Sequence, residues 1–273
     1  MAITNFIPTL WSAALLERWK AENVFAALVD RRYEGLATKG NTVKITGVVA
    51  PEVKDYKAAG RITSADAITD TTVSLSIDQE KSIDFYVDDI DRAQAAGSLE
   101  DYTNAGADAL VADSDTFIAT KLVEDGTEMA YSSVTTGDGA FNVIRDAVVK
   151  MNQYNVPNAG RVAAVNAAFA GLLQGADSKL TEYQKAGDNN GLRDGTIGQL
   201  LNVRVVFSNN LPEVTSPQAV FFHPSAYAFV SQIDEIEGMR ADNKFADRIR
   251  ALHVYGGKVV RPEGVFVFNE LGT

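Results

Sequence analysis

Residues Thr72 to Ala95 read TVSLSIDQEKSIDFYVDDIDRAQA. Val73, Leu75 and Ile77 alternate with Ser74, Ser76 and Asp78, and the alternation returns at Ile83, Phe85 and Val87. A period of two puts apolar side chains on one face of a strand and polar ones on the other. Upstream, Val43, Ile45 and Val48-Val49 follow the Gly40-Asn41 turn as another strand. Between these strands, Pro51 to Asp70 holds turn formers and scattered charge with little periodicity. Residues 41–90 therefore read as a long two-stranded ribbon carrying five basic and nine acidic residues. Such a ribbon is marginal in water by itself. Its apolar face, including Val73, Leu75, Ile77 and Phe85, needs a partner in this chain or in another.

Downstream the spacing changes to that of helices. Residues 98–124 read as one helix, with Leu99, Tyr102, Ala105, Ala109, Leu110, Phe117, Ile118 and Leu122 on an apolar side rich in small residues. Ser98 and Asp101 have the spacing of a capping box. At 1.5 Å per residue this helix is about 40 Å long, enough to span a domain. A turn-rich stretch ending at Gly137-Asp138-Gly139 leads to a second amphipathic helix with Phe141, Ile144, Val148 and Met151, which stops before Pro157.

Upstream, residues 1–40 read as a helical arm. Ile3, Phe6, Ile7, Leu10, Trp11, Ala14 and Leu15 follow helical spacing. Pro8 suits the first turn of a helix that runs from about residue 8 into the middle twenties. Phe6, Trp11 and Leu15 pack either on the chain's own core or on a neighbouring subunit. The arm has five basic and four acidic residues, whereas the whole chain carries a net charge of −11.

The remaining chain alternates strands and helices, which points to an α/β layer. Arg161 to Val165 reads as a strand, Ala167 to Leu173 as a short helix, and Leu201 to Phe207 and Ala219 to Phe222 as strands. Pro224 to Ile233 reads as a helix with Pro224 near its first position. Arg248 to Phe268 reads as antiparallel, with Gly256-Gly257 as its hairpin turn.

Composition excludes several functions. The 273 residues contain no cysteine, so disulfides, thiolate metal sites and cysteine nucleophiles are absent. The acidic balance and the lack of a basic run argue against duplex binding. No apolar run reaches the length of a membrane span, and the first residues lack the basic region of a signal peptide. Neither phosphate-binding glycine pattern occurs. The histidines, His223 and His253, have no metal-ligand spacing. His223 with Ser225 could be read as a serine–histidine pair, but no GxSxG elbow accompanies them. Asp84, Asp88, Asp89 and Asp91 form the best cation candidate, yet they lack a calcium-loop pattern and equally fit a solvated strand-to-helix junction. No cofactor, metal or catalytic constellation is expected, and the chain reads as no enzyme.

Three stretches carry a resemblance. Thr72 to Ala95 looks like the segment of tailed-bacteriophage major capsid proteins that leaves the extended loop and enters the spine helix. Thr4 to Ala13, TNFIPTLWSA, is similar to the opening of their N-terminal arm. Phe222-His223-Pro224-Ser225-Ala226-Tyr227 resembles a strand-to-helix turn of their axial domain. The resemblance implies an α+β Hong Kong 97-type capsid fold. It implies an N-terminal arm at 1–40 and an extended β-loop at 41–90. A peripheral domain is split between 91–136 and 232–273, with its spine helix at 98–124, and an axial domain spans 137–231.

The function it implies is self-assembly through pentamers and hexamers into an icosahedral shell that encloses phage DNA without sequence-specific binding. Inter-subunit contacts are then expected at Phe6, Trp11, Leu15, Val73, Leu75, Ile77 and Phe85. Expected partners are a separate scaffolding protein, a portal and a decoration protein, with no membrane. The expected location is the virion, after assembly in the host cytoplasm. Some members of the family cross-link through lysine; Lys54 and Lys57 lie on the loop, but nothing selects them. An encapsulin-like nanocompartment shell shares the fold. A soluble α/β enzyme and another virion protein are the rivals from other classes.

Overall fold

The computed structural model describes residues 23–34, 42–48, 53–58, 60–63, 70–88, 99–131, 133–175, 177–178, 198–241 and 244–269. In chain order its strands are β1 (Thr42–Val48), β2 (Asp70–Ser76), β3 (Gln79–Asp88), β4 (Thr127–Glu128), β5 (Val162–Val165), β6 (Gln199–Leu200), β7 (Val203–Phe207), β8 (Gln218–Phe222), β9 (Tyr227–Arg240), β10 (Ala246–Val259) and β11 (Val265–Asn269). A spine helix spans Leu99–Glu124, an amphipathic helix Gly137–Gln153, and shorter helices Phe25–Leu28 and Ala167–Leu173.

Strands β5, β8 and β11 are apolar at nearly every position because both of their faces are covered. They lie inside a six-stranded mixed sheet of order β4-β11-β8-β5-β7-β6. Alternate residues serve opposite layers. Val162, Ala164, Val220, Phe222, Val265 and Val267 pack toward Phe25 and toward Ile118 and Leu122 of the spine helix. Ala163, Val165, Ala219, Phe221, Phe266 and Phe268 pack toward Ala140, Val143, Ile144, Ala147 and Met151 of the amphipathic helix and toward Phe169 and Leu173. Thr136 caps the amphipathic helix by accepting a hydrogen bond from the Gly139 amide at 3.1 Å.

A second sheet has the order β3-β10-β9, antiparallel throughout. Its inner face meets the spine helix, where the Phe117 ring stands edge-on to Tyr255 at 5.3 Å and the Tyr255 hydroxyl donates to Asp113 at 2.6 Å. Burial, reinforced by that carboxylate, pushes the Tyr255 hydroxyl's pKa far above its ordinary value. The ribbon is a third, two-stranded sheet in which β1 and β2 pair antiparallel, with Val43 opposite Leu75 and Ile45 opposite Val73.

Several sequence expectations change. The apolar stretch after Ile77 does not continue the ribbon: the chain turns at Ile77-Asp78, and β3 pairs with β10. Residues 224–233 are not a helix. A single 3-10 turn at Pro224–Ala226 leads directly into β9. Tyr227, Ala228, Phe229 and Val230 are all buried, and a continuous apolar run has no period that separates strand from helix; pairing with β10 decides it.

Gly256-Gly257 is not a turn either. Both glycines lie inside β10, opposite Val230 and Phe229, and the hairpin turn falls between Arg240 and Ala246. Close approach explains the pair. A Cβ on Gly256 would stand 2.2 Å from the Ser76 carbonyl oxygen, and one on Gly257 2.2 Å from the Tyr227 hydroxyl oxygen. Strands β10 and β11 do not pair with each other; β11 lies between β8 and β4. In the arm segment only residues 23–34 are described. Phe25 and Val29 there belong to the core rather than to a projecting helix.

Candidate assembly surfaces

At the root of the ribbon, Leu75 is fully buried and Ile77 nearly so. They cluster with Val43, Ile45, Ala228, Val230 and Val254, and Lys258 donates to the Ser74 carbonyl at 3.2 Å. The apolar face expected to need a partner thus finds one in β9 and β10 of the same chain. This corrects the expectation at Leu75 and Ile77: their burial needs no neighbouring subunit. Val73 is half-buried opposite Ile45. Phe85 is half-buried and, with Ile83, lies over Gly106 of the spine helix. Phe6, Trp11 and Leu15 lie outside the described residues.

The tip of the ribbon differs. Residues 53–58 and 60–63 are all exposed, including Val53 at 97%, Tyr56 at 54% and Ile62 at 75%. The backbone there is nevertheless organised. The Asp55 carboxylate accepts from the Lys57 amide at 2.9 Å and the Ala58 amide at 3.1 Å. The Arg61 amide donates to the Tyr56 carbonyl at 2.9 Å, and Gly60 and Arg61 take left-handed φ values of 66° and 63°. The turn presents its apolar groups among Lys54, Lys57 and Arg61. Periodicity missed these residues because the few apolar side chains here, set among charges and turn formers, do not repeat long enough to mark a strand or a helix. The remaining signal is a large apolar residue inside a turn-rich segment.

A second exposed set lies on the outer face of the β3-β10-β9 sheet and at its hairpin end. Tyr86, Arg248 and Met239 are direct cross-strand neighbours; Tyr86 is 49% exposed, and Phe245 beyond the strand end is 82% exposed. Lys244 and Arg248 both sit over the Tyr86 ring, at 5.4 and 5.6 Å. The same face carries two ion pairs that bind strand to strand, Arg248 with Asp84 and Arg250 with Glu237, while Arg240 and Asp247, directly opposite each other, pair on the other face near the hairpin end. The Arg248 guanidinium holds the Asp84 carboxyl below the usual carboxylate range.

The catalytic readings gain no support from geometry. His223 Nε2 faces the Ala159 carbonyl at 3.1 Å and therefore carries its hydrogen. Its Nδ1 accepts from the Ser225 amide at 3.2 Å and lies 2.8 Å from the Ser225 hydroxyl. The ring closes the Pro224–Ala226 turn, with a backbone carbonyl behind it where a triad would place a carboxylate. His253 is buried, 3.1 Å from the Ser231 hydroxyl. Of the acidic group, Asp84 is engaged with Arg248, while Asp89 and Asp91 lie outside the described residues. Among the described residues no three His, Asp or Glu side chains come together as a metal site, and no helix is long and apolar enough to cross a membrane.

Comparison with known proteins turns these surfaces into an identification. A family model described as phage capsid protein matches residues 69–268. A solved structure from Mycobacterium phage Che8 is 61% identical over 100% of both chains, with a TM-score of 0.92. The capsid structure of the cyanophage P-SCSP1u shares 16% identity and a TM-score of 0.83 over 98% of this chain and 94% of its own. A virus-like particle from Pyrococcus furiosus shares 14% identity and a TM-score of 0.56 over 85% and 87% of the two chains. At such identities the likeness speaks for the fold alone. No curated protein matches. The α+β fold is of the Hong Kong 97 type, and the chain belongs to the phage capsid protein family, with the role of a major capsid protein.

Proposed function

We propose that copies of this chain assemble through pentamers and hexamers into an icosahedral shell in which the ribbon tip lies on a neighbouring subunit. One observation carries this reading. Val53, Tyr56 and Ile62 are displayed in water on a turn that is ordered by its own hydrogen bonds, while the root of the same ribbon is packed into the subunit. A turn organised in this way around exposed apolar groups gains by burying them against another copy. Its local basic character suits an acidic neighbour, which steers encounter and register more than affinity.

The chain divides in this reading into an arm (1–40), an extended loop (41–90), a peripheral domain (91–136 with 232–273) and an axial domain (137–231). Phe6, Trp11 and Leu15 of the arm contact neighbours, as do Val73 and Phe85 where their half-exposed sides face outward. The subunit has a structural and not a catalytic role. It works with a separate scaffolding protein, a portal and a decoration protein, and it encloses DNA whose phosphates its acidic balance tends to repel. Assembly takes place in the host cytoplasm, and the product is the virion shell.

Negative-stain microscopy of the purified protein, with and without a scaffolding partner, tests the proposal. Closed shells are expected from the intact chain. Deletion of residues 50–70 should leave soluble subunits that close no shells; normal shells from that deletion would defeat the proposed role of the loop.

A further inference from the structure

Asp115, midway along the spine helix, is fully buried. Its Oδ2 accepts from the Val24 amide at 3.1 Å and from the Asn210 side-chain amide at 2.7 Å, and its Oδ1 accepts from the Ala26 amide at 2.9 Å. Three donors, each about ninety residues away along the chain, thus converge on one carboxylate. Beside it the Phe25 ring stacks on Phe222 with centroids 6.3 Å apart. At the other end of the same segment, the Asp30 amide donates to the Tyr227 carbonyl at 3.1 Å, and the Phe229 amide donates to the Asp30 carbonyl at 3.0 Å. Residues 24–30 are therefore built into the body.

The next turns of the spine helix fill the interior with Ile118, Ala119 and Leu122. Burying a carboxylate here costs desolvation that a hydrocarbon side chain avoids. A carboxylate can, however, fix the direction of two backbone amides at once through charge-assisted hydrogen bonds. We infer that Asp115 is a positioning residue for assembly: it sets the place and direction in which the N-terminal arm leaves the subunit, so that the arms of successive copies reach their neighbours alike. This rests on the reading of the arm as an inter-subunit element.

The test uses full-length Asp115→Asn and Asn210→Ala. Asp115→Asn keeps the shape but turns one acceptor into a donor. Asn210→Ala removes one donor and leaves both backbone amides paired. Hydrogen exchange is measured on the unassembled subunit and shell uniformity by microscopy. In Asp115→Asn the Val24 and Ala26 amides should exchange about a hundredfold faster, with amides of the Gly137–Gln153 helix changing less than about threefold. Its shells should be irregular in size or unclosed. Asn210→Ala should give about tenfold faster exchange at the same two amides.

Uniform shells from a variant whose arm root has loosened would overturn the inference, as would equal acceleration in both regions. If Asp115→Asn does not fold, Asn210→Ala decides alone: loosening confined to the arm root together with irregular shells supports the inference, and no loosening overturns it. If the unaltered chain forms no shells, the shell reading fails, and the amide pattern still decides whether Asp115 holds the arm root.

Discussion

The two ends of one ribbon are built from similar residues and treated in opposite ways. At the root, Leu75 and Ile77 are buried among side chains of β1, β9 and β10, and Gly256 lets the β10 backbone reach the Ser76 carbonyl. At the tip, Val53, Tyr56 and Ile62 stand in solvent on a turn held by Asp55 and Arg61. Burial at the root belongs to the folding of one chain, whereas the apolar surface at the tip is available for association. Substitutions at the two ends should therefore separate subunit stability from shell formation.

The largest effect is expected where the backbones touch. Gly256→Val places atoms against the Ser76 carbonyl and the Ile77 Cα, neither of which can rotate away. Subunit stability should fall by about 4 kcal/mol or more, read by denaturant titration. A variant of unchanged midpoint would break the account of the root. Leu75→Ala comes next. It empties a fully buried site and should cost about 3 kcal/mol in the same titration; a loss below about 1 kcal/mol would mean that the root is not packed as described.

Acid should act more gently. The folded-state pKa of Asp84 is depressed by Arg248, so its contribution is present above the unfolded value of about 4 and is lost as pH falls through the folded value. Exchange of the β3 amides should show no Asp84-dependent loosening between pH 7 and 5, and should gain one below about pH 4. Arg248→Gln should abolish that acid-induced difference. Least of all, replacing Val53, Tyr56 and Ile62 together by Ser should change subunit stability by under about 0.5 kcal/mol, yet abolish closed shells under the microscope. Intact shells from that variant would erase the distinction between the two ends.

Much of the architecture is legible where one periodicity dominates. The Gly137–Gln153 helix, the Ala167–Leu173 helix and strands β5 and β8 lie within a few residues of their expected places, because each has either a helical stripe or a run covered on both faces. The spine helix also lies where expected, although its apolar residues are spread around it and Ala105 and Ala109 of the expected apolar side are exposed. Legibility fails where local signals are silent about partners. The run from Tyr227 to Val230 is apolar at every position and favours neither helix nor strand. Gly256-Gly257 has the composition of a turn, but its reason is a crossing strand and a tyrosine ring. Asp115 on a helix reads as a solvated charge, since its donors at Val24, Ala26 and Asn210 are distant in sequence. The tip segment has too little periodicity to mark an element.

The β9-β10 hairpin shifts register once, between Val254 and Tyr255. On the Val259 side of that irregularity, Tyr255 is tied to the spine helix through Asp113. On the other side, nine residues from Ala246 to Val254 reach about 30 Å at the rise of an extended strand. A swing of about 5° at the irregularity carries the far end about 3 Å. In the proposed shell, that lever would let chemically identical copies meet their neighbours at slightly different angles.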